Sequence, residues 1–432
     1  MNQNFKNIII VLLITILLSS ILLPGFEVKR GLPLIRLEEI LVLFVMVGFF
    51  AYSILYPKKR IRLAKFDKIF LLLIISILVS MGFGQFILGI DVIGRDFFEF
   101  IKIIKYLVIF RLASSIELDK RQIKKLIKIF LFAGSAASIF AIAQFYNLFQ
   151  INLFLAPQYT ISTHLRDLEV HQRIIGTFSN PNIYGIFATV LIIFSVVILA
   201  KSKLFRKAWP YFIVVTLAIL TQIMTSSRTA VGATVISYVF LFWVCAFKKK
   251  KLKKMIDLSL LLAIITLSCL WFTISSPFLY RMGEGLNITQ SHTMIQRMSK
   301  WSSSVGGVKK PLVWVFGKGP SKSQELPLPP GEKQYLDNEY LLYLRRYGLI
   351  GVAIYVAMYL MVLFASWRTY LKARSREIKI LSLSLVGIVI AFLVFNFTAG
   401  SFYNPQLMAI FWLLAGLMYR ASKEYKPLVE EK

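Results

Sequence analysis

Two cysteines and three histidines are all that 432 residues hold of the side chains that most often build disulfides, metal centres and general bases. Cys245 and Cys269 both fall inside long apolar runs, so no disulfide framework is implied. His164, His171 and His292 lack paired ligand spacing and no acidic cluster joins them, so no metal centre is expected. Acid is scarce too: 21 Asp and Glu stand against 51 Lys and Arg, a formal net charge of +30. P-loop, Ser/His/Asp nucleophile motif, internal repeat and soluble-domain composition are all missing. Nucleotide hydrolases, metalloenzymes and secreted disulfide scaffolds are thereby set aside, and no cofactor is expected.

What the chain has is apolar length. With 57% hydrophobic and 14% aromatic residues it falls in the membrane class, as an all-α polytopic protein. Twelve runs are long enough to cross the hydrocarbon: 7–24, 38–56, 69–88, 96–113, 129–148, 182–200, 210–225, 228–247, 257–276, 342–366, 380–398 and 406–420. Residues 1–432 thus form a single integral membrane domain, and the first run, without an A-x-A-like cleavage site, is expected to be a retained span. The basic residues concentrate in alternate loops, among them "PKKRIRLAKFDK", "LDKRQIKKLIK", "KKKKLKK" and "RTYLKARSREIK". That alternation places both termini in the cytoplasm. It also assigns the basicity to orientation and to anionic membrane lipids, not to nucleic acid.

Polar residues then stand out against this background. "RIIGTFSNPN" brings Arg173 and two amides, Asn180 and Asn182, to the start of the sixth span. Asn180 as cap and Pro181 in the first turn explain the helix start; topology adds that its free N–H groups face outward, where an anion would be welcome. As one helix, Tyr211 to Phe247 would run about 55 Å against a core of roughly 30 Å. It must turn back, and "TSSRT" is the place, with Ser226 to Thr229 forming the turn and Arg228 inside an apolar hairpin. The segment 277–337, on the external side, carries Met294, Met298 and Trp301 at helical spacing beside Arg297, as an amphipathic surface helix does. In it "FGKGP" reads as a turn, or more weakly as an N–H nest for phosphate. Asp337, ahead of the tenth span, reads as an N-cap or as a chemical carboxylate. Arg95, Glu99, Lys102 and Lys105 share one side of the fourth span, which either pairs internally or lets Lys102 and Lys105 line a cavity for an anionic group.

In this order, "RIIGTFSNPN", "SSRTA", "RMSKW" with "FGKG", and "DNEYLLYLRRYGLIG" resemble the O-antigen ligase and Wzy-type polysaccharide polymerase family of bacterial inner membranes; the likeness is concentrated in residues 173 to 355. The resemblance implies a GT-C-like membrane glycosyltransferase, independent of metal, whose donor is an oligosaccharide on undecaprenyl diphosphate. The glycan moves to an acceptor hydroxyl on the external face, in company with other polysaccharide-assembly proteins. Departure of a lipid diphosphate calls for cations, a role for Arg173, Arg228 and Arg297. Asn180, Asn182, Asn338, Glu339, Lys102 and Lys105 are the further substrate-side candidates. Where the ligases of the family carry histidine before the asparagine of the "DNEY" segment, this chain has Asp337, which becomes the candidate base, with Glu339 in reserve.

A polymerase that joins lipid-linked repeats is the leading expectation, and a ligase delivering polymer to a terminal acceptor such as lipid A core is the alternative. A lipid-linked oligosaccharide flippase is the competing class. Carriers built from two six-span halves usually have their long connection in the middle and bind cargo at mid-membrane. Here the middle connection, "KSKLFRKAWP", is short and the polar residues crowd the outer border.

Overall fold

The computed structural model describes residues 3–23, 25, 36–55, 65–152, 173–178, 180–202, 208–246, 249–272, 295, 297–302, 311–321 and 336–423. His164, His171, His292 and Met294 lie outside them, as does most of 277–337.

Among the described residues there is no strand. The helices are α1 (Gln3–Leu22), α2 (Leu37–Leu55), α3 (Lys65–Leu88), α4 (Phe98–Ser115), α5 (Lys120–Phe145), α6 (Pro181–Lys201) and α7 (Trp209–Met224). They continue with α8 (Arg228–Ala246), α9 (Lys249–Phe272), the short α10 (Pro311–Phe316), α11 (Glu339–Lys372), α12 (Arg376–Phe395) and α13 (Pro405–Lys423). Every predicted span overlaps one of the long helices. Among the described residues, seven stretches are long and apolar enough to cross a membrane: α3, α5, α6, α8, α11, α12 and Leu252–Trp271 of α9.

Burial separates centre from rim. Helix α6 is apolar on all sides and buried without a break from Ile183 to Leu199, the pattern of a helix surrounded by others. On α9, by contrast, Ile256, Leu260, Ile264, Leu267 and Trp271 are exposed at spacings of four, four, three and four, an apolar stripe suited to lipid.

Contacts at the helix ends fix which ends lie together. The start of α6 meets the end of α5, where Gln144 Oε1 accepts from Gly176 N (2.8 Å). It also meets the end of α1, where Thr177 Oγ1 donates to Ile21 O (2.5 Å). The start of α13 joins the same group, as Gln406 Nε2 donates to Leu23 O and Thr177 O (both 3.1 Å). At the opposite end Lys201, closing α6, reaches Tyr370 Oη near the end of α11 (2.8 Å), and Arg420 of α13 pairs with Glu117 ahead of α5. Long helices consecutive in the chain therefore run in alternate directions, and the bundle has two chemically different ends.

Helix α11 is not one rod. Thirty-four residues would span about 51 Å, too long for the hydrocarbon. Gly348, at φ 67° and ψ −170°, breaks it into residues 339–347 and a span of about 36 Å from 349 to 372. The carbonyls freed at the break are taken up by the "FGKG" loop: Lys318 N donates to Arg345 O (3.1 Å) and Gly319 N to Arg346 O (2.8 Å). Ser80 Oγ of α3 also donates to Arg346 O. Backbone lies on backbone so closely that a Cβ on Gly348 would stand 2.1 Å from Val315 O, and one on Gly317 would stand 2.3 Å from Arg346 O. The "FGKG" amides of Lys318 and Gly319 are therefore spent on α11, which removes them from a phosphate nest.

Candidate active site at the polar end of the bundle

Arg173 is buried and lies against the hairpin turn. Its Nε donates to Thr225 O (2.9 Å) and Nη2 to Asn182 Oδ1 (2.9 Å), so "RIIGTFSNPN" and "TSSRT" meet at one guanidinium. Asn180 caps α6 as expected, its side chain accepting from Asn182 N (2.8 Å). The hairpin turn is narrower than the sequence suggests. Thr225 to Ser227 make it, with Ser226 at φ 51°, while Arg228 and Thr229 already belong to the first turn of α8. The reason is Ser227, whose Oγ accepts from Ala230 N (3.4 Å) and starts the helix one residue before Arg228. Below the turn Gln222 Nε2 donates to Thr189 (2.8 Å) and Thr234 (2.7 Å), which locks α7 and α8 onto α6 with neutral polar groups.

At the start of α11 the cap is Asn338, not Asp337: Asn338 Oδ1 accepts from Leu341 N (3.0 Å). Both residue types cap well, and the helix begins one residue later than Asp337 requires. Asp337 is left about half exposed and paired with Arg297, Nε to Oδ2 3.3 Å. Arg297 sits in a helical turn, 297–302, where Met298 is exposed and Trp301 partly buried.

Glu339, the reserve base, is fully buried and saturated. Its carboxylate accepts from Tyr355 Oη (2.8 Å), Ser401 N (2.9 Å) and Phe402 N (3.0 Å). Its own N–H donates to Asn396 O (2.9 Å). Apart from Tyr355, which is in α11 itself, these partners belong to the loop 396–404 between α12 and α13, which sequence reasoning left without a role. That loop ties the motifs together. Thr398 Oγ1 donates to Thr229 Oγ1 (2.6 Å), next to Arg228. Tyr106 Oη donates to Phe402 O (2.8 Å), and Lys102 and Arg346 both stand over the Tyr403 ring, at 4.8 and 5.4 Å. Burial, and then the charge of Glu99, push the Tyr403 phenol above its usual range. The available signal was its density of amides and hydroxyls, "NFTAGSFYNP", between two apolar runs.

The polar stripe of the fourth span resolves mainly into pairs. Arg95 is exposed in a 3-10 turn ahead of α4 and is not part of that helix. Lys102 pairs with Glu99 at 3.6 Å, Arg346 reaches the same carboxylate at 3.5 Å, and Lys105 is held by Glu39 of α2 at 2.6 Å. With 6% of its side chain exposed, Lys105 is a structural partner of α2 and lines no open cavity, whereas Lys102 keeps 30%.

Four helices, α6, α8, α11 and α13, point their N-termini into this region, capped by Asn180, Ser227, Asn338 and Asn404, the last accepting from Leu407 N (2.9 Å). All four caps are neutral. Their positive dipole ends add to the arginines, offset at α11 by Glu339 in its first turn and Asp337 ahead of it, so that the starts of α6 and α8 are the ones that favour an anion.

No curated protein matches the chain. Residues 213–356, a third of its length, match the family described as O-antigen ligase. The match takes in Arg228, Arg297, Asp337, Asn338, Glu339 and the Gly348 break, and leaves Arg173 and the loop 396–404 outside. It supports, for a chain whose described residues form helices without strands and include several of membrane length, the O-antigen ligase and Wzy-type family that the motifs resemble.

Proposed function

We propose that the protein is a polysaccharide polymerase of the cytoplasmic membrane, with twelve spans, both termini inside and its site facing outward. It transfers a glycan from an undecaprenyl-diphosphate-linked donor to a hydroxyl of a second lipid-linked repeat unit. The observation that carries the reading is the convergence of Arg173, Arg228 and the Arg297–Asp337 pair on one end of the bundle, among four neutrally capped helix N-termini. Arginine keeps its charge and grips phosphate oxygens in pairs, which suits a diphosphate leaving group.

In the step proposed, Asp337 accepts the proton of the acceptor hydroxyl as its oxygen attacks the anomeric carbon. The bond from that carbon to the phosphate oxygen breaks, and undecaprenyl diphosphate departs with its new charge held by Arg173 and Arg228. Half-exposed Asp337 is reachable by an acceptor; enclosed Glu339 is not, so the base role stays with Asp337. No metal takes part in this step.

The ligase reading has one observation in its favour, the description of the matching family. Against a flippase stands the placement of these groups at an end of the bundle. The deciding experiment supplies purified protein with a synthetic undecaprenyl-diphosphate repeat unit. A ladder of products is the expected result. Conversion only after a distinct acceptor is added means ligase, and flipping without reaction means transporter.

A further inference from the structure

One part of the polar end lies outside the matching region and has no role in the step above: the loop 396–404, folded over the start of α11 and touching the start of α8. Its hold on α11 is specific to a carboxylate. Glu339 meets three donors, Tyr355 Oη and the backbone N–H groups of Ser401 and Phe402, and offers acceptors alone. Asn396 closes the ring, donating from Nδ2 to Tyr355 Oη (2.7 Å) and accepting at Oδ1 from Ser401 N (3.2 Å). The loop is thus clamped at both ends of its 396–402 turn. Between those clamps Thr398 is the residue that reaches across to another helix, with its hydroxyl on Thr229 at 2.6 Å. Thr229 follows Arg228 in the first turn of α8, where four N–H groups lack intrahelical acceptors and the backbone is least restrained. A bond to the Thr229 side chain fixes the rotation of that turn, and with it the direction in which Arg228 leaves the helix.

We infer that Thr398, held in place by the Glu339 clamp, is a positioning residue that aims Arg228 at the diphosphate of the lipid-linked substrate. The inference rests on the diphosphate site proposed above. It adds that a segment some 170 residues distant in sequence, which no motif marks, sets the geometry of that site. Packing alone accounts for a buried loop; it does not call for a hydroxyl donated to the residue beside the candidate arginine.

The test uses full-length protein in nanodiscs and undecaprenyl diphosphate as the probe, with polymer synthesis as a second readout. Thr398→Val keeps the shape and the Glu339 clamp but removes the donor, so it should weaken probe binding about tenfold with an unchanged melting temperature. Thr398→Ser should restore most of that loss. In an Arg228→Gln background Thr398→Val should cost nothing further, because the residue it positions is gone. Additive losses in the double variant, or a loss that follows a fall in melting temperature, would overturn the positioning role while leaving the diphosphate site intact. Absence of any probe binding by the wild-type protein would overturn both.

Discussion

The two ends of the bundle use positive charge differently. At the basic end, cations sit where helix geometry favours them. Lys254 donates to Ala200 O (3.0 Å) and to Ser202 O, at the C-terminus of α6, and Lys201 in the same last turn reaches Tyr370. Arg111 pairs with Asp67, Arg420 with Glu117, and Asp119 caps α5 in a reciprocal box with Gln122. Each of these is a stabilising contact of the usual kind, with the cation near a helix C-terminus or the acid near a helix start. At the polar end Lys102, Lys105 and Arg297 pair with Glu99, Glu39 and Asp337 in the same way, but one cation is placed differently. Arg228 opens α8, where the dipole disfavours a cation by roughly 0.3–1 kcal/mol, and the neighbouring caps are neutral. A cation at a helix start, where the dipole disfavours it, suits the anionic substrate proposed above.

The sharpest way to break this contrast is to dismantle the polar end as a whole. Gly348→Ala forces a Cβ to within 2.1 Å of Val315 O from a backbone conformation that favours glycine. A loss of roughly 3–5 kcal/mol is expected, read as a collapse in yield and melting temperature. Next come the arginines. Arg173→Ala and Arg228→Ala should each lower polymer synthesis by about 100-fold or more, while Arg111→Ala and Arg420→Ala at the basic end should leave turnover nearly unchanged. Equal losses at both ends would erase the distinction.

Smaller effects refine it. Glu339→Gln points an amide N–H₂ at donors, costing roughly 2 kcal/mol of stability, and should release the loop 396–404 to faster hydrogen exchange at Ser401 and Phe402. Asp337→Asn should cut polymer synthesis by about 10²-fold or more with probe binding preserved. Full synthesis at normal expression would end the base assignment. The smallest effect on stability is expected at Arg228→Gln, which should abolish synthesis while shifting the melting temperature only slightly.

Much of this was legible in the sequence. Apolar runs locate every long helix because lipid and core both demand them, and the hairpin is forced by length alone. Arg173, Arg228 and Arg297 stand out as charges beside such runs. Three things were not legible. The break at Gly348 depends on a backbone match with "FGKG" some thirty residues earlier, and neither glycine announces its partner. The cap at Asn338 and not Asp337 turns on a shift of one residue between two good capping types. The loop 396–404 carries no charge, and its meaning lies in what Glu339, Thr229 and Tyr106 donate or accept across the fold.

The central claim is that one anion is held jointly by Arg173 and Arg228, and equilibrium binding of undecaprenyl diphosphate to the purified protein addresses it most directly. Each single glutamine variant should weaken binding at least tenfold, and the double variant should be little worse than the singles, because both side chains serve one diphosphate. Unchanged affinity in either single variant, or losses that simply add, would contradict the account.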